Sequence, residues 1–148
     1  MNAIFKKMNY KGQKVIHVVG APESFGGELA EMREVAAVKT ALGKSMEFVI
    51  GFAQKQSEVD RLAEAYEKAC PGDAVVWVAY PKGTSKKYKC DFNRDTGWKR
   101  MGEVGFEPVR QVAIDEDWSA LRFRRVEHIK TMTRSFAMTE EGKKRTVK

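Results

Sequence analysis

Seven consecutive apolar or aromatic residues, Ala74-Val75-Val76-Trp77-Val78-Ala79-Tyr80, lie between a Pro71-Gly72-Asp73 turn and Pro81. A run of that length without a polar residue suits a strand buried on both faces, which needs packed layers above and below it. The segment before it identifies one of those layers. Val59, Leu62, Ala63, Tyr66, Ala69 and Cys70 recur at i, i+3, i+4, i+7, i+10 and i+11, one face of a helix. Ser57 is the expected cap, with Asp60 three residues on. Glu64 and Lys68 form an i,i+4 pair on the outer face, and Pro71-Gly72 ends the helix. Phe48-Val49-Ile50-Gly51-Phe52-Ala53 precedes it as another apolar strand. Strand, helix and strand, each buried, predict a parallel βαβ unit within an α/β sheet.

The rest of the chain extends that pattern. Residues 1–11 read as a partly ordered lead-in, and Val15-Ile16-His17-Val18-Val19 as a first buried strand ending at Gly20-Ala21-Pro22-Glu23-Ser24. A short helix follows, with Ser24 as its cap and Phe25, Leu29 and Met32 on one face. Gly26 and Gly27 weaken it by about 1 kcal/mol each relative to alanine; paired glycines there also suit close approach of backbone or ligand. Val35-Ala36-Ala37-Val38 is a short second strand. After the lysine-rich loop Lys82–Lys89, Asn93 or Asp95 caps a helix that turns Trp98 and Met101 inward and ends at Gly105. Val109–Ile114 is a fifth strand and Trp118–Val126 a sixth. The tight Asp115-Glu116-Asp117 turn makes these two antiparallel, with Leu121 and Phe123 on one face and Arg122 and Arg124 on the other. Residues 12–130 therefore form one α/β domain, and residues 131–148, poor in large apolar side chains, a mobile basic tail.

Charge and cysteines bound the setting. The net charge is +7, and residues 71–148 carry 17 Lys and Arg against 11 Asp and Glu, whereas residues 1–70 carry 10 against 9. A basic half attracts phosphates, nucleic acid or an anionic surface. No run approaches a membrane span of about 18 apolar residues, and Met1–Lys7 lacks the apolar stretch of a secretory signal. With only Cys70 and Cys90, free thiols and a cytoplasmic location are expected.

No catalytic motif is present. The chain has neither a G-x-x-x-x-G-K-[ST] phosphate loop nor a G-x-S-x-G nucleophile elbow. His17, inside an apolar strand, reads as a hydrogen-bonded core histidine. The spacing of His17, Cys70, Cys90 and His128 matches no metal site, so neither a metal nor a cofactor is expected. Ligands of open α/β sheets bind at the carboxyl edge of the strands. That edge holds the candidate ligand-binding residues: Gly20, Pro22 and Ser24 after the first strand, Pro81, Lys82 and Ser85 after the fourth, and Asp115 and Trp118 at the hairpin turn. Lys82 directly follows its strand and is the strongest of the lysines; Lys86, Lys87 and Lys89 read as a solvated loop. The turn acids are expected to pair with Lys82 or Arg122. Tyr80, Tyr88 and Trp118, interleaved with basic residues, are able to stack on bases.

This order of elements resembles a reduced class I methyltransferase core: a single three-layer Rossmann-like sheet, mostly parallel, closed by an antiparallel β-hairpin. The resemblance implies an S-adenosylmethionine site at a Gly-rich first loop and an acid after the second strand. Here Gly20-Ala21-Pro22-Glu23-Ser24-Phe25-Gly26 lacks the G-x-G spacing, and strand two runs into Lys39-Thr40-Ala41-Leu42 with no carboxylate. Three stretches resemble an uncharacterised bacterial family of domains best known from actinobacteria. They are Gly20–Phe25; Tyr80–Ser85, where that family often has Trp before Pro-Lys; and Val112–Phe123. That resemblance implies the fold and no activity. The leading expectation is a non-catalytic binding or regulatory domain for a small anionic ligand or a protein partner. The alternatives are nucleic-acid binding by the basic C-terminal half and a divergent S-adenosylmethionine-dependent methyltransferase.

Overall fold

The computed structural model describes residues 2–92 and 97–129. The cap expected at Asn93 or Asp95 and the expected mobile tail lie outside the described residues. Six strands, β1 (Val15–Val19), β2 (Ala37–Lys39), β3 (Phe48–Phe52), β4 (Val75–Pro81), β5 (Phe106–Ala113) and β6 (Trp118–Arg125), form one sheet in the order β2-β1-β3-β4-β6-β5. The first four run parallel, and β6 pairs antiparallel with both β4 and β5. Every residue of β3 and of β4 is buried, which is why these two sequences are unbroken apolar runs. In β6 and in β5 at the sheet's outer edge, polar side chains appear again. Leu121 and Phe123 pack with one core, while Trp118 and Ala120 belong to the other, so that Arg122 and Arg124 follow them on the opposite face.

Helices cover both faces, giving three layers. One core holds Phe5, Met8, Phe25, Leu29 and Met32 against Ile16, Ile50 and Trp77. The other holds Val59, Leu62 and Tyr66 of α3 (Gln56–Ala69) and Met101 of α4 (Lys99–Glu103) against Val49, Val76 and Val78. The lead-in is more ordered than the sequence suggests. Asn2 caps a helix α1 (Ala3–Lys7) by accepting the amides of Ile4 and Phe5 at 3.0 and 3.1 Å. Phe5 and Met8 are fully buried, and the Trp77 indole donates to the Met8 carbonyl at 3.0 Å. Five residues make too short a helix to stand alone, so tertiary contacts hold it.

Two local expectations change. Helix α3 begins before Ser57. Glu58 Oε1 accepts the amides of Gln54 and Lys55 at 2.9 and 3.0 Å, and Asp91 Oδ1 accepts the Gln56 amide at 2.6 Å. A glutamate and a distant aspartate thus satisfy the first amides, and Ser57 is exposed inside the first turn. In front of α2 (Gly26–Met32), Ser24 lies within a 3-10 turn (Glu23–Phe25) and makes no side-chain cap. A Cβ on Gly26 or Gly27 would meet open space, so this glycine pair serves no close packing. Phe25, Leu29 and Met32 do share one buried face.

The close approach is at Gly51 in β3. A Cβ there would stand 2.5 and 2.6 Å from the Leu62 methyls and 2.6 Å from the Tyr66 hydroxyl, which donates to the Trp77 carbonyl at 2.9 Å. Leu62 and Tyr66 are both buried, so neither has room to withdraw. Gly51→Ala is expected to lower unfolding free energy by roughly 1–3 kcal/mol, the usual cost of overpacking, as measured by urea denaturation.

Candidate functional site

The carboxyl edge of the sheet is built from three chain segments. Strand β4 ends at Pro81, in register with Trp118 at the start of β6. The Lys82 amide then donates to the Asp117 carbonyl at 2.8 Å, and the Ser85 amide to the Lys82 carbonyl at 3.0 Å, so the chain turns back over the hairpin. The Ser85 hydroxyl donates to Asp117 Oδ1 at 2.8 Å and accepts the amides of Lys87 and Tyr88 at 3.3 and 3.1 Å. Asp115 Oδ1 accepts the amides of Asp117 and Trp118 at 2.8 and 2.9 Å, a local Asx turn. The acids of this turn were expected to pair with Lys82 or Arg122. Asp115 instead holds backbone amides and Asp117 the Ser85 hydroxyl, while Glu116 is exposed.

That arrangement leaves the loop's cations without a carboxylate partner among the described residues. The ion pairs among the described residues join Arg100 to Glu64 and Glu103, and Arg124 to Asp73; Lys82, Lys86, Lys87 and Lys89 take part in none of them. A cavity of about 510 Å³ opens beside the loop, lined by Tyr80, Pro81, Lys82, Gly83, Ser85, Tyr88, Lys89, Cys90 and Phe92. Three aromatic rings stand in its walls and are fixed from behind. Tyr88 packs on Trp118 at 4.9 Å and Phe92 on Trp98 at 5.3 Å, while Tyr80 accepts a hydrogen bond from the Gln111 amide at 3.0 Å. Burial pushes the Cys90 thiol above its ordinary range, as does the nearby Asp91.

The eight candidate residues fall into two groups. Pro81, Lys82 and Ser85 line the cavity, and Asp115 and Trp118 support it from behind through the hairpin turn. Gly20, Pro22 and Ser24 lie at the exit of β1, with β3 between them and β4. Gly20 has φ +71°, and a Cβ there would meet the Phe52 carbonyl at 3.2 Å. Phe25 packs on Phe52 at 5.2 Å, and Phe52 on Trp118 at 5.2 Å. An aromatic row therefore runs from the β1 exit to the hairpin turn. Phe52 and Phe92 were not singled out from the sequence. Phe52 is the last residue of an apolar strand, and the sequence offers no signal that it faces this edge; Phe92 follows the lysines and resembles any loop aromatic.

Other expectations resolve in the core. His17 is buried, with Nδ1 3.2 Å from the Ala41 carbonyl. Both cysteines are free, and burial pushes the Cys70 thiol up to about 12. Among the described residues no group of three or more His, Cys, Asp or Glu is placed to hold a metal ion, and no helix is long and apolar enough to cross a membrane.

No protein-family model and no curated protein matches the chain. Solved structures do. A SAM-dependent methyltransferase from Aquifex aeolicus superposes with a TM-score of 0.56 at 10% identity, over 82% of this chain and 87% of that one. A TehB-like SAM-dependent methyltransferase from Corynebacterium glutamicum gives 0.53 at 9% identity, over 82% and 85%. A putative type 11 methyltransferase from Sulfolobus solfataricus gives 0.50 at 10% identity, over 77% and 85%. At such identities the likeness is one of fold, and the fold is a reduced Rossmann-like α/β sheet of the class I methyltransferase kind.

Proposed function

We propose that the chain is a non-catalytic binding or regulatory domain, and that the cavity at the carboxyl end of β4 takes a small anionic ligand. The carrying observation is the set of loop lysines, unpaired with any described carboxylate, beside a preformed cavity. Lys82 and Lys89 lie in its wall, where an ammonium attracts a phosphate or carboxylate as a point charge. A cavity of about 510 Å³ is of the size that small-molecule sites have. A protein partner presenting a carboxylate would meet the same two lysines. Two free thiols suit a reducing, cytoplasmic setting. Membership of the uncharacterised bacterial family rests on the three sequence stretches that resemble it.

The fold supports a second reading, a divergent methyltransferase. The residues where that fold family holds S-adenosylmethionine do not fit it. The β1 exit offers a single glycine, with the buried Phe25 packed on Phe52 beside it, and β2 leads into Lys39-Thr40-Ala41-Leu42 with no carboxylate. The nucleic-acid reading loses two of its cations to the fold. Arg124 chelates Asp73 at 2.9 and 2.6 Å, and Arg125 donates to the carbonyls of Tyr66, Glu67 and Cys70 at the end of α3.

A thermal-shift panel of nucleotides, acyl phosphates, dicarboxylates and S-adenosylmethionine tests these readings. At least one anion is expected to raise the melting temperature. Lys82→Ala should abolish the rise, and Lys68→Ala, on the outer face of α3, should leave it unchanged. No shift with any anion removes the proposal, and a shift with S-adenosylmethionine alone transfers the reading to the methyltransferase.

Cys90 supplies an independent readout. In the native protein a thiol reagent should modify Cys90 slowly and Cys70, which is buried, hardly at all. A ligand in the cavity should slow the Cys90 reaction further; an unchanged rate under saturating ligand places the ligand elsewhere.

A further inference from the structure

The anion reading leaves most of the cavity unexplained. A bare oxyanion displaces only a few waters, each about 30 Å³ of liquid, whereas this cavity holds about 510 Å³. Its remaining polar groups are already engaged. Ser85 spends its hydroxyl on Asp117 and on two backbone amides, and the Cys90 thiol donates to the Phe92 carbonyl at 3.1 Å. Besides the two lysines, Pro81 and Gly83, the rest of the wall is the rings of Tyr80, Tyr88 and Phe92. Tyr80 is buried, and Tyr88 and Phe92 are half-buried, so the last two present ring surface to a ligand. Both rings are braced from behind by tryptophans, Trp118 for Tyr88 and Trp98 for Phe92. Braced rings lose little freedom when they bind, which favours stacking over a looser apolar contact. The Lys87 ammonium stands 5.6 Å from the Tyr88 ring centre on a flexible, exposed side chain. It makes a weak contact that a ligand ring replaces at little cost.

We infer that the occupant of the β4 cavity is a flat aromatic ring carrying a phosphate or carboxylate on a short linker. The anion meets Lys82 and Lys89, and the ring lies against Tyr88 and Phe92. This inference rests on the anion-binding reading above and adds the chemical class of the ligand. Nucleoside monophosphates and simple aryl phosphates share that chemistry, and the two are separated below by separate probes.

The test is isothermal titration of the full chain with inorganic phosphate, phenyl phosphate, adenosine monophosphate and adenosine. Phenyl phosphate or adenosine monophosphate should bind at least about tenfold more tightly than inorganic phosphate, in line with the strength of aromatic stacking. Adenosine, lacking the anion, should show no binding at millimolar concentration. Whichever of the two ring-bearing anions binds more tightly distinguishes a nucleotide from a smaller aryl ligand. Tyr88→Leu should bring the ring-bearing anions down to the affinity of inorganic phosphate. Tyr88→Phe, which keeps the ring and its packing on Trp118, should retain the difference.

Equal affinities for phosphate and phenyl phosphate overturn the ring inference and leave the anion reading standing, as does a difference that survives in Tyr88→Leu. Tight adenosine binding also overturns it. No binding of any anion in the panel removes both readings together.

Discussion

Strand β4 couples every layer of this protein, and it does so through one residue. Trp77 lies in the middle of the strand, fully buried, and is hydrogen-bonded to both layers. Its indole donates to the Met8 carbonyl of the N-terminal segment on one side, and its backbone carbonyl accepts the Tyr66 hydroxyl of α3 on the other. Buried polar groups need such partners, and a strand covered on both faces has no water to supply them. The same burial demands that α3 lie close, which Gly51 permits by having no side chain where Leu62 and Tyr66 press. Both helical layers are thereby tied to this one strand.

The consequence for the site is rigidity at its base. Pro81 ends β4 in register with Trp118, and the next residue hydrogen-bonds to Asp117 across the same pair of strands. The loop that follows is anchored again through Ser85 and Asp117. The lysines are thus carried on a loop whose first turn is tied to the sheet, and Asp115 and Asp117 beside them are occupied in tying it. This division of labour explains how Asp115 and Asp117 sit next to a basic loop without pairing with its lysines. The aromatic row from Phe25 through Phe52 to Trp118 and Tyr88 fills the rest of the edge. It separates the β1 exit, where the methyltransferase fold family places its cofactor, from the β4 cavity.

Much of the frame was legible in the sequence. The runs at Val15, Phe48 and Val75, the period of α3 and the alternation in β6 are strong signals because burial on one or two faces dictates them directly. The elements that escaped depend on partners far away in the chain. Helix α1 exists because Phe5 and Met8 find a core and Trp77 finds the Met8 carbonyl. Helix α3 starts where it does because Glu58 holds the amides before it and Asp91, 35 residues later, accepts one from its first turn. For the site, Lys82 and its neighbours were readable from their place after a buried strand. That the β1 exit and the β4 loop form separate groups was not, because strand order decides it. Nor could sequence alone tell that Asp115 binds backbone amides and Asp117 the Ser85 hydroxyl, since the same residues in the same order suit an ion pair equally well.

On the proposed reading, the working edge of this fold lies at β4 and not at the β1 exit. Amide chemical shifts of isotopically labelled protein, followed while the tightest-binding anion is titrated, locate the site without any substitution. Saturable shifts are expected between Lys82 and Phe92, with smaller ones at Gln54 to Gln56, where Asp91 contacts the start of α3. Shifts centred on Gly20 to Phe25, with the β4 loop unmoved, would contradict that reading.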